Sequence, residues 1–410
     1  MRRVVVTGAG GITALGTRWT EIRTALEAGQ RAVQYISDWE DIDGMNCRLA
    51  GPVPDFELPA HYTRRRTRTM GRNAKMAVRA TEFALESAGL LGDQDRLQSG
   101  RIGVAFGSSS GSTDALAEMA HILLNKTARK VSATSYMRLM AHTAAANIGV
   151  FFKLRGRVVP TISACTAGSQ SIGFAWEAIR SGAQEAMVAG GSEELCPTHV
   201  GVFDVLHAVS GRNDAPTDTP RPFDVNRDGL VVGEGAATLV LEELEHAKAR
   251  GATILAEITG FGTNSDGHHV TRPHRPSMGG VMQLALASAG RQPDDIDYIS
   301  AHGTATATGD VAESHAVMDV FGDQTPISSM KGNFGHLLGA CGALEAWLAI
   351  EMLREGRFSP THNLTDLDPE CAPIDYVRDG ARAIDARTVM NNNFAFGGIN
   401  TSMIIERYAD

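Results

Sequence analysis

Residues 158–182 read VVPTISACTAGSQSIGFAWEAIRSG, and this stretch indicates the fold class. The β-branched run from Val158 to Ser163 predicts a buried strand, and helical periodicity from Ile172 to Arg180 predicts a helix that follows it at once. Cys165 lies at the turn between the two. A strand that runs directly into a helix is the unit from which α/β proteins are built.

The same alternation of short apolar runs and helical segments continues along the chain. The other strands are predicted at Arg3 to Thr7, Ile102 to Phe106, Ala237 to Leu241, Leu255 to Gly260 and Tyr298 to Ala301. The other helices are predicted at Thr20 to Ala28, Ala74 to Ala88, Gly279 to Ala289 and Leu344 to Leu353. This order predicts an α/β protein with largely parallel, buried sheets.

Two pairs of segments resemble each other across the chain. The first strand runs into TGAG at residues 7–10, and the strand near residue 255 runs into TGFG at residues 259–262. The helix after Cys165 ends in Arg-Ser-Gly, and a second helix, after His336, ends in Arg-Glu-Gly. We interpret this as a duplicated α/β unit, with halves at residues 1–250 and 251–410. No linker separates the halves, so we expect one packed body.

Composition argues against several classes of function. The 410 residues are 43% hydrophobic with a net charge of −9, which suits a large core and argues against a nucleic-acid partner. No apolar run reaches the length of a membrane span. The five cysteines show no C-x-x-C spacing, so we expect a reduced, cytoplasmic protein without a disulfide framework or zinc site. A basic cluster of the kind that docks an acidic protein is formed by Arg64, Arg65, Arg66, Arg68 and Arg72.

Cys165 is the candidate nucleophile. A cysteine between a strand and a helix lies at a helix N-terminus, where the macrodipole favours the thiolate and lowers its pKa. The free backbone N–H groups of the same turn can hold an oxyanion. A thiolate in this setting can accept an acyl group. The alternative interpretation is a small buried side chain without chemistry.

Three further segments place polar groups beside glycine. In AHGTATATGD (301–310) a strand ends at His302, and a threonine-rich loop leads into a helix that we expect to be capped near Asp310. In KGNFGHLLGACGALE (331–345) we expect His336 at a similar strand-to-helix turn. In NNNFAFGGIN (391–400) the two glycines predict a turn with positive φ. A thiol, two imidazoles and a glycine-rich turn suit carbon–carbon bond formation from thioesters.

Together these segments resemble the β-ketoacyl-acyl-carrier-protein synthases of types I and II, within the thiolase-like superfamily. The resemblance runs from VVVTGAGGITALG (4–16) to NNNFAFGGINTS (391–402) and includes AGGSEE (189–194) and RPFDVNRDG (221–229). It implies a duplicated, five-layered αβαβα fold that works as a dimer without a bound cofactor or metal. The substrates are then carried on the 4′-phosphopantetheine of an acyl carrier protein, and the product is a β-ketoacyl thioester two carbons longer.

The resemblance also implies roles for individual residues. Cys165 matches the nucleophile that accepts the acyl chain, and His302 and His336 match the two histidines that stabilise the enolate formed on decarboxylation of a malonyl thioester. The supporting matches are Lys331 for an electrostatic role, Glu345 as a buried acid behind the site, Phe396 as a gate whose N–H joins that of Cys165 in an oxyanion hole, and Thr304, Thr306, Phe394 and Ser110 for binding of the phosphopantetheine arm or substrate.

Several positions depart from the family pattern and concern the substrate. Ala305 and Ala307 replace the Ser and Pro of the usual Thr-Ser-Thr-Pro, and Ala395 replaces a Gly of the gating turn. Alanine restricts such a turn if the position needs positive φ. Ser110 stands where a bulky aliphatic residue is expected in the acyl pocket. We therefore expect a specialised synthase, for unsaturated or polyene chains, rather than the main fatty-acid elongase.

Other families fit the sequence less well. A thiolase, which does not decarboxylate, needs a second cysteine in Cys-x-Gly, whereas Cys371 is followed by Ala-Pro. A type III synthase carries Asn in place of the second histidine, and the glycine spacing of a nicotinamide-dependent reductase fails at Ile12. One alternative stays open: the chain is the catalytic half of a heterodimer whose partner has lost the cysteine and sets the chain length.

Overall fold

The computed structural model describes residues 1–129 and 131–409, and strands and helices alternate along them. The strands are β1 (Val4–Ile12), β2 (Gln34–Tyr35), β3 (Leu49–Gly51), β4 (Ile102–Gly107), β5 (Val158–Thr161), β6 (Ala186–Glu193), β7 (Val232–Gly233), β8 (Gly235–Glu243), β9 (Ala256–Ser265), β10 (Tyr298–Ser300), β11 (Ile327–Ser328), β12 (Arg357–Phe358), β13 (Arg382–Ala383), β14 (Thr388–Ala395) and β15 (Ile399–Glu406). The helices are α1 (Trp19–Glu27), α2 (Arg64–Thr67), α3 (Arg72–Ser87), α4 (Gln94–Leu97), α5 (Thr113–Asn125), α6 (Ser135–Leu139), α7 (Thr143–Phe152), α8 (Ala167–Arg180), α9 (Pro197–Val205), α10 (Leu244–Ala249), α11 (Arg275–Ala289), α12 (Ala307–Phe321), α13 (Lys331–Phe334) and α14 (Cys341–Glu355). Within these ranges no helix combines the length and the apolar character needed to cross a membrane.

Ten of the strands form one hydrogen-bonded sheet in the order β11-β10-β14-β15-β9-β1-β8-β6-β4-β5. Strands β9 and β1 are joined by three residue pairs, whereas eight pairs join β1 to β8 and eight join β9 to β15. The sheet therefore divides into two halves where β9 meets β1. Each half has five strands, which can be numbered one to five along the chain. Read from the outer edge of the sheet to its centre, both halves have the order third, second, fourth, fifth and first. The fold therefore repeats one α/β unit. The division into domains at residue 250 stays a prediction.

Three hydrophobic cores separate the layers of the fold. In the central core Trp176 of α8 and Trp347 of α14 pack against both halves of the sheet, for example against Leu241 of β8 and Met403 of β15. The second core lies between helices α3 and α7 and strands β4 and β6. The third lies between helices α11 and α12 and strands β10, β14 and β15. The resulting order of helices, sheet, helices, sheet and helices is the five-layered αβαβα fold that the resemblance implied.

The prediction of largely parallel strands is wrong. In the ten-stranded sheet β11–β10, β10–β14, β6–β4 and β4–β5 pair in parallel, whereas the other five pairs are antiparallel. Strands β14 and β15, for instance, are joined by a tight hairpin, which can pair strands in the antiparallel sense alone. Strands buried on both faces have the same apolar composition in either orientation, so the sequence pattern did not distinguish the two.

Candidate active site

Cys165 lies in a short 3₁₀ turn between β5 and α8. Ala164 takes φ +48°, a left-handed conformation that turns the chain sharply from the strand into the helix. The hydroxyl of Thr161 donates a hydrogen bond of 2.7 Å to the carbonyl of Ala167, which ties the end of the strand to the first turn of the helix. The side chain of Cys165 is buried in the central core as a result.

His336 is the nearest imidazole to this thiol, with Nε2 3.0 Å from Sγ of Cys165. Its backbone is fixed on both sides, because its N–H donates to the carbonyl of Val231 at 2.7 Å and its carbonyl accepts from the N–H of Gly233 at 3.0 Å. The strand-to-helix turn predicted for His336 is wrong. The residue lies in a bridge between the short helix α13 and helix α14.

His302 follows β10, and its ring centroid lies 5.2 Å from that of His336 at an interplanar angle of 86°. Glu313 fixes its backbone, since one carboxylate oxygen accepts from the N–H of His302 and the other from the N–H of Gly303, both at 2.7 Å. Asp310 accepts from the N–H groups of the two residues after Gly303. Helix α12 begins three residues before Asp310, so Asp310 reaches back from the first turn instead of capping the helix. Glu313 was not predicted from the sequence, although its spacing of three from Asp310 places both acids on one face.

Lys331 and Glu345 form a buried ion pair beneath His302. The ammonium group of Lys331 donates to the carbonyl of His302 at 2.5 Å and lies 3.5 Å from its Nδ1 atom. The second oxygen of Glu345 accepts from the side-chain amide of Asn393 at 2.6 Å. A cation, a carboxylate and an amide therefore support His302 from behind. Asn393 lies in the quoted NNNFAFGGIN segment but was given no role from the sequence.

The two histidines are neutral at pH 7. Burial lowers the pKa of His302 and of His336 well below the ordinary value, and the charge on Lys331 lowers both further. Lys331 itself stays charged because, although burial lowers its pKa, the Glu345 carboxylate raises it above the ordinary value. The site thus holds one fixed positive charge beside two neutral imidazoles.

The thiol of Cys165 does not have the lowered pKa that its place near a helix N-terminus suggested. Burial raises the pKa of Cys165 to about 11, even though Lys331 and the backbone N–H groups of Phe396 and Cys165 itself act to lower it. The expectation was wrong because burial outweighs the lowering of the pKa by Lys331 and by these two N–H groups. The two N–H groups nevertheless lie near the sulfur, which is where an oxyanion hole is required.

Phe396 lies in the hairpin turn between β14 and β15. Gly397 and Gly398 take φ +91° and +69°, so the predicted turn with positive φ is confirmed. Ala395 is the last residue of β14 and pairs with Ile399 across the turn. In this conformation Ala395 has extended backbone, in which a Cβ atom causes no steric strain. The ring of Phe396 packs 5.3 Å from that of Phe203.

A cavity of about 420 Å³ leads from the surface to Cys165. The predicted site residues in its wall are Cys165, His302, His336, Thr304, Thr306, Phe394 and Phe396. The hydroxyls of Thr304 and Thr306 lie 3.0 Å apart, and the ring of Phe394 stands 5.9 Å from that of His302. Lys331 and Glu345 lie behind this wall. Ser110 is placed elsewhere, with its hydroxyl 3.0 Å from Nε2 of His199.

The basic cluster divides into two parts. Arg72 forms an ion pair with the buried carboxylate of Glu234, with hydrogen bonds of 2.7 to 3.2 Å. Arg66 lies over the ring of Phe151 at 3.6 Å. The members that remain exposed on the short helix α2 and its end are Arg64, Arg65, Arg66 and Arg68. The charge of Arg72 is therefore paired within the fold, whereas the other four arginines face solvent.

The donor atoms of Cys165, His302 and His336 lie within 4.8 Å of one another. One sulfur and two neutral imidazoles can bind a thiophilic divalent metal in principle. The ammonium group of Lys331 beside His302 opposes a dication there. The arrangement suits acyl transfer to the thiol better, and the metal-free site stays a prediction.

Two family models match this chain: the N-terminal domain of β-ketoacyl synthases over residues 1–247 and the C-terminal domain over residues 255–365. The chain is 37% identical to the 3-oxoacyl-[acyl-carrier-protein] synthase 2 of Coxiella burnetii, over 100% of this chain and 99% of the relative. It is similar to the crystal structure of a β-ketoacyl synthase from Burkholderia phymatum, with 56% identity, a TM-score of 0.99 and full coverage of both chains. It is also similar to the ishigamide ketosynthase/chain length factor, with 34% identity, a TM-score of 0.90 and full coverage.

Proposed function

Because this chain belongs to the β-ketoacyl synthase family, we propose that it joins an acyl group held on Cys165 to a malonyl unit held on an acyl carrier protein. The products are carbon dioxide and a β-ketoacyl carrier protein two carbons longer. The observation that carries the proposal is the contact of 3.0 Å between Sγ of Cys165 and Nε2 of His336, with the ring of His302 perpendicular beside it.

In the first step the sulfur of Cys165 attacks the carbonyl carbon of the acyl thioester. A new carbon–sulfur bond forms, the old one breaks, and the carrier's thiol leaves with a proton. His336 is placed to take the thiol proton, because its Nε2 atom is in contact with Sγ. The N–H groups of Cys165 and Phe396, which both face the sulfur, stabilise the oxyanion of the tetrahedral intermediate.

In the second step the malonyl thioester loses its carboxylate as carbon dioxide. The electron pair of the broken carbon–carbon bond becomes an enolate, whose charge develops on the thioester oxygen. His302 can donate an N–H to that oxygen, and so can His336 once its single proton is on Nε2; a donor of this kind contributes about 3 kcal/mol. The enolate carbon then attacks the acyl carbonyl, and the Cys165 thiolate leaves and takes up a proton.

The cavity and the charge of the surface support an acyl carrier protein as the partner. A cavity of about 420 Å³ with the Thr304 and Thr306 hydroxyls in its wall can receive the 4′-phosphopantetheine arm, so no cofactor of the synthase's own is needed. The exposed arginines of α2 offer a basic surface for an acidic carrier. Since the mechanism needs a free thiol and all five cysteines are unpaired, we place the reaction in the reducing cytoplasm.

The edge of the large sheet supports a dimer. Strand β5 is the last strand of the ten, and Val158 on it and Ile162 just beyond it are 51% and 57% exposed. An apolar strand edge that is exposed in one chain pairs readily with a second chain. We propose a homodimer. The second candidate is the catalytic half of a heterodimer in polyene or polyketide synthesis, which the similarity to the ishigamide ketosynthase/chain length factor favours.

Intact-mass measurement tests the reaction. Purified protein is incubated with acyl carrier protein thioesters, and malonyl carrier protein is then added. We expect one acyl adduct on the wild type, its absence in Cys165→Ala, and its consumption with formation of the β-ketoacyl carrier. Cys341→Ala is the matched control, because that thiol is also buried and donates to the carbonyl of Cys165 at 3.2 Å. An adduct that survives Cys165→Ala contradicts the proposal. Co-purification of a homologous chain that lacks the nucleophilic cysteine would support the heterodimer.

A further inference from the structure

Three polar side chains, Ser110, His199 and Glu193, lie together behind the wall that Phe203 and Phe396 form at the cavity, and we call them the polar cluster. Helix α9 connects the wall to the cluster, because His199 and Phe203 are four residues apart and share one face of the helix. Phe203 meets the ring of Phe396 at 5.3 Å, and one turn earlier His199 meets the hydroxyl of Ser110 at 3.0 Å.

Glu193 is completely buried in this cluster. One of its oxygens lies 3.4 Å from the hydroxyl of Ser110, and the other accepts from the backbone N–H groups of Ser109 at 2.7 Å and Gly339 at 3.1 Å. Burial raises the pKa of Glu193, and a charge on His199 would act against that rise. Gly339 belongs to the turn that follows His336, so the cluster lies close behind the reactive thiol and imidazole.

The polar cluster has unused hydrogen-bonding capacity. Nδ1 of His199 is buried and has no hydrogen-bond partner among the described residues, and the same holds for Oγ of Ser109, which lies beside the cluster. Buried polar atoms are usually paired, and an unpaired one costs free energy comparable to a lost hydrogen bond. Atoms of this kind, on a wall beside a binding cavity, indicate that a polar ligand atom completes the cluster.

The two-step reaction requires space on the far side of Phe396. This argument rests on the proposed function. The same cavity must admit the malonyl carrier while the acyl chain is still attached to Cys165, so the chain has to lie outside the cavity at that moment. Phe396 borders both the cavity and Phe203. Movement of its ring would open the way from Cys165 towards the polar cluster.

We propose that Ser110, His199 and Glu193 form a subsite for the acyl chain that selects chains bearing a hydroxyl group over plain alkyl chains. A hydroxyl both donates and accepts a hydrogen bond, so it can pair with His199 in either neutral tautomer and with Glu193 in either protonation state. An alkyl chain end in the same place would leave Nδ1 of His199 without a partner. A site built to hydrogen-bond a hydroxyl discriminates strongly against the analogue that lacks it.

The test compares pairs of acyl carrier proteins with equal numbers of heavy atoms, one chain ending in a hydroxyl and the other in a methyl group. Acylation of Cys165 is followed by intact mass over a series of chain lengths. For at least one length we expect the hydroxyl chain to react roughly tenfold faster or more in the wild type. The preference should fall to near unity in Ser110→Ala and in His199→Phe. His315→Phe, on the outer helix α12, is the matched control and should keep it.

Each outcome decides the inference. Loss of the preference in both cluster variants, with the methyl-ended chain still reacting in each, supports the subsite and shows that the variants are folded. Equal rates for both chains at every length in the wild type, or a preference that persists in both variants, would overturn it. Absence of any Cys165 adduct from every carrier would overturn the proposed function itself and this inference with it.

Discussion

The ammonium group of Lys331 is bound to the carboxylate of Glu345 directly behind His302, and both side chains are almost completely buried. A buried pair of this kind is strongly destabilised when one partner is removed, by about 3–5 kcal/mol, although it adds little net stability as a pair. Its place beside two imidazoles suggests an electrostatic use. Burial and, after it, this fixed positive charge lower the pKa of both histidines, whose N–H groups the condensation needs as neutral donors.

The first prediction concerns the pH dependence of decarboxylation. Because the pKa of both histidines is lowered, the imidazoles stay neutral as the pH falls through 6.5, so their protonation should cause no decline in the wild-type rate between pH 8 and 6. In the double variant Lys331→Met, Glu345→Leu the lowering by Lys331 is lost, and the acidic decline in rate should begin at higher pH. Release of carbon dioxide from malonyl carrier protein measures this. Identical profiles would show that Lys331 does not set the protonation of the histidines.

The second prediction concerns Glu313, which holds the backbone of His302 and Gly303 through both carboxylate oxygens. An amide offers one acceptor oxygen, so Glu313→Gln leaves one of the two N–H groups facing a donor. We expect condensation to slow by about tenfold to a hundredfold, which is less than the roughly hundredfold to thousandfold effect of losing an oxyanion donor, because Glu313 positions His302 and is not itself the donor. Acylation of Cys165 should change little, because His336 and the oxyanion N–H groups are untouched.

Single-turnover assays of the two steps separate these effects. Glu351→Gln, another buried acid but on the far part of α14, serves as the control and should alter neither step. If Glu313→Gln slows acylation as much as condensation, the side chain supports the whole site rather than His302.

The third prediction separates the two parts of the basic cluster. Arg72→Met leaves the buried Glu234 carboxylate without its cation, and we expect a loss of about 2 kcal/mol in the free energy of unfolding, below the range for fully buried pairs because Arg72 is 36% exposed. Arg65→Met should leave stability within about 0.5 kcal/mol, as exposed substitutions do, and should weaken binding of the carrier protein. Urea unfolding and carrier titration measure the two effects. Equal loss of stability in both variants would contradict the assignment.

The parts of the fold that could be predicted are those that a local sequence pattern determines. The helix predicted from Ala74 to Ala88 lies at 72–87, and the strand predicted from Ile102 to Phe106 lies at 102–107. Periodicity is a property of neighbouring residues, and burial of an apolar face preserves it. The orientation of strands depends on how distant segments pair. That information is absent from a run that is apolar on both faces.

The candidate site was predictable as far as residue type and local setting identified it. The cysteine between a strand and a helix and the two histidines next to glycine stand out in the sequence, and the structure brings all three together. Asn393 and His199 did not stand out, because their partners Glu345 and Ser110 are 48 and 89 residues away and amides and histidines are common. The raised pKa of Cys165 likewise depends on burial by both halves of the fold, which no single segment encodes.

The last prediction uses the same substitution in two helices. In α8 a Cβ atom on Gly173 would lie 2.2 to 2.4 Å from ring atoms of Phe261, whereas in α7 one on Gly149 would meet nothing within 4 Å. Gly149→Ala should stabilise the chain by about 0.5–1 kcal/mol through helix propensity and reduced backbone freedom. Gly173→Ala should instead cost about 1–2 kcal/mol, because displacing a core ring outweighs that gain. Urea unfolding at one fixed protein concentration compares them. Equal stabilisation by both would show that Phe261 can move, and that the core between α8 and β9 is looser than its packing implies.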